Sequence, residues 1–215
     1  MKKIFILPFI AMVFFSCQKE MSVDTINNSG GNNNNGNNPV PLEGNWSFLN
    51  LYMDVSSTAT GSVSGIPLVA VTAYKTTSIN NRGTLAFATN NFTVTNMGYT
   101  LSDTAYVSYK GLYNEEEKIP FDFDIDPYSA SGKYQKIGTD SLYFPDGSVF
   151  QGLEIDGQEI TSSAASGVKY AIKSDTLLVY ANVNVSKDST ISANGVSIKF
   201  RVDQKATTIG SFKKK

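Results

Sequence analysis

Two stretches in which apolar and polar residues alternate one by one constrain this chain more than any other feature. In Ile119-Pro120-Phe121-Asp122-Phe123-Asp124-Ile125-Asp126, isoleucine and phenylalanine take one parity and the aspartates the other. Val196-Ser197-Ile198-Lys199-Phe200-Arg201-Val202-Asp203 separates in the same way. A period of two belongs to a β-strand, whose successive side chains point to opposite faces. A strand buried on one face and wet on the other belongs to an antiparallel sheet. Composition agrees: aromatic residues make up 12% of the chain, and Val, Ile and Thr are abundant, all residues that suit a half-buried pleated surface. Further strands are predicted over 45–54, 68–77, 84–88, 92–95, 105–110, 141–144, 149–155, 168–173, 176–185 and 207–212, with little that reads as helix.

Four segments share a pattern of Asp, then Ser or Thr, then a strand-like run. They begin at Asp103, Asp140, Asp175 and Asp188, the first three about 36 residues apart. Asp followed by Ser or Thr caps turns through side-chain to backbone hydrogen bonds, so each is expected to open a strand. The spacing suits a hairpin plus loops and hence an antiparallel up-and-down sheet able to close into a barrel, with a β-sandwich as the alternative.

The amino terminus points to an address. Lys2 and Lys3 precede an apolar run over 4–15, broken only by Pro8, and Ser16 precedes the single cysteine, Cys17. This is the layout of a secretory signal, and the run is too short for a permanent membrane span. The small residue followed by cysteine resembles the lipobox of Gram-negative bacterial lipoproteins, although Phe14 and Phe15 depart from the usual aliphatic-then-small pair. The resemblance implies lipidation at Cys17 and anchoring to the outer membrane, with the periplasmic or cell-surface side left open. Residues 18–41 are Asn/Gly-rich, closing on Pro39 and Pro41, and read as a flexible tether spanning about 25–30 Å. The organisation expected is a signal over 1–17, a tether over 18–41 and one β domain over 42–215.

Several chemistries are disfavoured by composition. The chain has no histidine, which removes the commonest general base and most zinc sites. With Cys17 acylated, no thiol remains for catalysis. The full-chain net charge of −1 becomes about −3 without Lys2 and Lys3, and the only basic run is Lys213-Lys214-Lys215, read as a solvated end. Nucleic-acid binding is therefore not expected. Asp122, Asp124 and Asp126 have the spacing that opens a calcium loop, but Pro127 and Lys133 stand where an EF-hand needs Gly and Glu. The solvated side of an edge strand accounts for them. No acid pair stands out for glycoside hydrolysis. Neither catalysis nor a cofactor is expected. The Asp-Ser/Thr-aliphatic triplets, among them Asp24-Thr25-Ile26 in the tether, also resemble a bacterial O-glycosylation acceptor sequence.

Gly44-Asn45-Trp46, following Leu42 and opening the first strand, resembles the Gly-x-Trp signature of lipocalins. The resemblance extends loosely to about Val202. It implies an eight-stranded barrel plugged at one end by Trp46, with Gly44 allowing the tight approach and a late basic residue, taken as Arg201, packed across the indole. It further implies a non-catalytic carrier of a small hydrophobic molecule or glycan fragment. The alternative is an interaction module of an envelope assembly with a solid core. Segment 56–65, from Ser56 to Gly65, is small, polar and glycine-bearing, and is expected to form a loop at the ligand mouth. Tyr52 and Tyr74 are the expected contacts there.

Overall fold

The computed structural model describes residues 40–63, 66–111, 114–147, 149, 154–155, 158–159, 165–193 and 196–215. The strands are β1 (Gly44–Val63), β2 (Ile66–Thr77), β3 (Ile79–Phe87), β4 (Asn91–Lys110), β5 (Glu115–Lys133) and β6 (Gln135–Ile137). They continue with β7 (Ser141–Phe144), β8 (Glu154–Ile155), β9 (Gln158–Glu159), β10 (Ser166–Lys173), β11 (Thr176–Ala193) and β12 (Val196–Lys214). Cys17 and the tether as far as Pro39 lie outside the described residues, as does Gly65, whereas Val40 and Pro41 are described.

The strands form a closed, antiparallel, up-and-down barrel. β2 and β3 follow one another along β1 and together act as one wall strand. β5 and β6 do the same, β5 pairing with β4 and β6 with β7. From β7 the order runs through β10 and β11 to β12, and β12 closes the ring on β1, Trp46 opposite Lys214. The sandwich alternative is thereby excluded.

The long strands exceed their expected lengths because the Asp-Ser/Thr segments do not all turn. Asp140 and Asp175 do stand at turns. The Asp140 carboxylate accepts from Ser141 Oγ at 2.9 Å and Lys169 Nζ at 3.1 Å, and Asp175 accepts from Thr176 Oγ1 at 3.3 Å. Asp103 and Asp188 instead lie inside β4 and β11. Continuous ladders to β5 and β12 hold both flanks there, and cross-strand pairing outweighs a local turn preference. Of the strand expected over 149–155, Glu154–Ile155 is strand and Val149 occupies a turn, while 150–153 lie outside the described residues.

Bulges decide which residues face inward. The β1–β12 register shifts between Phe48 and Asn50, leaving Leu49 40% exposed. The inward set therefore changes parity, from Trp46 and Phe48 to Leu51, Met53, Val55, Ser57 and Ala59. β4 shifts likewise after Val94, so that Phe92 and Val94 are followed inward by Met97, Tyr99 and Leu101.

One end of the barrel is solid. Trp46, Phe212, Leu177, Phe144 and Leu85 show no exposure, and Phe48 packs tilted on Tyr99 and Phe212 with ring centroids 5.7 and 5.4 Å apart. Among the described residues, β5 pairs only with β4, and β11 beyond Tyr180 pairs only with β12.

Candidate functional site

At the closed end a lysine, Lys214, packs over the buried Trp46, where Arg201 was expected. Trp46 is fully buried, and its Nε1 donates to the Leu42 carbonyl at 2.8 Å. Lys214 Nζ lies 4.4 Å from the indole centroid and donates to the carbonyls of Pro41 (3.1 Å) and Glu43 (2.5 Å). Gly44 lies against this lysine: a Cβ built there would come within 2.7 Å of Nζ, and its φ of +120° also favours glycine. Arg201 does not reach the plug. It pairs with Thr60 and Asp188 near the opposite end and donates from Nε to Asp203 at 3.3 Å. Thirteen residue steps along β12, from Arg201 to Lys214, put the two about 40 Å apart. Lys214 could have been found by extending the last strand into the lysine run instead of ending it at residue 212.

The expected loop at 56–65 is not a loop up to Val63. Ser56 is a strand residue paired with Ala73 on one side and Lys205 on the other. Small β-branched and hydroxyl side chains suit a strand flanked on both sides, which is why Ser56 and its neighbours extend β1. Tyr52 has outward parity and pairs with Thr77 and Ile209, so it does not line the interior. Tyr74 does face inward, and burial pushes its phenol up to about 12.

The inward side is least buried at mid-height. Direct cross-strand partners share a face, so Ala181, Thr208, Met53 and Thr76 form one inward row across β11, β12, β1 and β2. Ala181, Thr208 and Met53 are only partly buried, although β1 and β12 are central strands. One row toward the plug, Val179 and Leu51 are 1% and 3% exposed; farther from it, Val55, Ser57 and Ala59 are again buried. The core is accordingly split in two, and Met53 and Phe121 pack against both parts.

Phe121 and Phe123, inward on the edge of β5, are also partly exposed. Their rings stack at 5.6 Å, and Tyr74 meets Phe121 edge-on at 5.1 Å. Together these residues form a partly exposed apolar surface on the inward side, beside the edge of β5 that pairs with no other described strand than β4. Thr76 Oγ1, in the same row as Met53, is buried without a hydrogen-bond partner. Of the other inward residues expected to line a pocket, Ile125 is core and Phe200 is buried, while the side chains of Val196 and Ile198 are outside the described residues.

The outer rim of β5 carries the exposed carboxylates of Asp122, Asp124 and Asp126, with Asp124 accepting from Thr100 Oγ1 at 2.6 Å. Among the described residues, no group of three or more metal-ligating side chains converges. Sequence reasoning missed the centre of the inward apolar surface, Met53, because the parity switch at Leu49 is invisible to a simple alternation. No protein-family model, curated protein or solved structure matches the chain.

Proposed function

We propose that this is a lipid-anchored, non-catalytic envelope protein of the outer membrane that holds a small hydrophobic molecule in a cleft on the inward side, beside β5. The observation carrying the reading is the partial exposure of Met53, Phe121 and Phe123 on the inward side of a barrel that is buried above and below them. Apolar surface left open inside a fold is poised to gain free energy by covering, at about 25 cal/mol per Å². The address rests on the basic start, the short apolar run and Cys17. The lipocalin-like character is supported by Trp46, buried where the first strand begins and capped by a late cation. The non-catalytic reading rests on a chain without histidine and without a second cysteine.

The test is titration with the neutral probe N-phenyl-1-naphthylamine. Enhanced, saturable fluorescence is expected, and it should be abolished by Met53→Trp, which fills the cleft. A probe that does not bind the folded protein removes the carrier reading. Mass spectrometry of the mature amino terminus checks the anchor: an unmodified terminus downstream of Cys17 removes it.

A second reading, a solid interaction module, has its own support. The inward Ser57, Ala59, Ala70, Thr72 and Ala105 are small yet buried, which suits a filled interior in the half farther from the plug. Under that reading the probe does not bind and Met53→Trp destabilises the fold by overpacking.

A further inference from the structure

Among the described residues, one charged side chain stands on the inward side beside the Phe121–Phe123 stack. Asp103 is the direct partner of Phe121, so its side chain shares the inward side with the Phe121–Phe123 stack. It is exposed, whereas its same-side neighbours Leu101 and Ala105 are only 5% and 2% exposed. The strand also loosens here. The β2–β4 ladder stops at Ala73 opposite Tyr106, and the β3–β4 ladder resumes at Ile79 opposite Thr100. One Asp103 oxygen accepts from the Thr104 N–H at 2.7 Å, and the second is available to another donor. Among the described residues, no lysine or arginine stands in the cleft rows of Met53 and Val55. The outward acids of β5 deepen the negative potential at the rim.

We infer that the cleft selects a ligand with an apolar body and a positively charged amine, the body against Met53, Phe121 and Phe123 and the ammonium at the Asp103 carboxylate. This rests on the cleft being a binding site. An ammonium gains from the carboxylate and from the negative faces of neighbouring rings. A carboxylate ligand would meet a like charge with no cation to offset it. An alcohol of the same length gains only the shared apolar burial, so the difference between heads isolates the charge. A partly exposed ion pair and one cation–π contact together favour the amine by about tenfold, or ~1.4 kcal/mol.

The experiment is isothermal titration of the full chain with octylamine, octanol and octanoate at low salt. Octylamine is expected to bind about tenfold more tightly than octanol, and octanoate more weakly than either. Asp103→Asn, with its fold checked by circular dichroism, should bring amine and alcohol together while leaving octanol unchanged. Raising the ionic strength should shrink the amine preference in the wild type. Equal affinities for amine and alcohol, or a preference that survives in Asp103→Asn, overturn the charge inference while the cleft stands. If none of the three binds, the binding reading falls with it.

Discussion

Removing the Lys214 ammonium tests whether the barrel's closed end is held by the contacts described. In Lys214→Ala the indole loses a cation 4.4 Å from its centroid, and the Pro41 and Glu43 carbonyls lose a charged donor. A cation–π contact of this kind is worth about 1 kcal/mol. A hydrogen bond from a charged donor adds about 1.5–3 kcal/mol, and because the two terms share one side chain they do not add fully. The expected loss is about 2–3 kcal/mol. Trp46 is the only tryptophan, so its fluorescence reports the site directly during urea unfolding. With a slope of about 2 kcal/mol per molar urea for a domain this size, the midpoint should fall by about 1–1.5 M. Lys214→Met retains an aliphatic side chain but loses the charge, and should recover only part of the loss. Arg201→Ala is the control: its guanidinium is exposed and pairs with Asp203 on its own strand, so its midpoint should match the wild type. A Lys214→Ala midpoint indistinguishable from wild type, or an Arg201→Ala loss as large, would refute the assignment of Lys214 to the plug.

Trp46→Ala should cost about 3–5 kcal/mol as a large-to-small change in a packed core, and a loss below about 1 kcal/mol in urea titration would contradict its burial. Deleting Leu49 removes the bulge and forces one side of β1 to turn its apolar residues outward, so soluble monomer should be lost in size-exclusion chromatography. Burial raises the phenols of Tyr74, to about 12, and of Tyr99 and Tyr128 further. Stability should be intact below pH ~10, where these phenols are neutral in both states, and decline above it as only the unfolded chain ionises. Absorbance titration at alkaline pH checks this, with all phenols ionising together near pH 10 as the contrary result. The Lys136 ammonium, hydrogen-bonded to Glu43, holds that carboxyl below its usual range. The pair's small contribution is present above the unfolded pKa and lost as pH falls through the folded one, so Glu43→Gln should flatten the acid limb of the stability profile slightly.

Alternation along Ile119 to Asp126 was enough to establish strands, the antiparallel sheet and the side each residue takes, because the two-residue period is a property of the backbone alone. Gly44-Asn45-Trp46 likewise marked one end of the barrel before any partner was known. Which lysine or arginine covers the indole was not legible. Lys214 and Arg201 are both basic residues of the last strand, and only the β1–β12 register separates them, a pairing that sets Lys214 opposite Trp46 and Arg201 opposite Thr60, each far away in sequence. The same holds for Asp103. Its Asp-Thr pair is a good turn former in isolation, and pairing with β5 keeps it extended and sets it beside Phe121. The parity switch at Leu49 and the one-sided pairing of β5 come from how strands of unequal length close into a ring. That closure is a balance of cross-strand pairing and shared burial, and no single segment carries it.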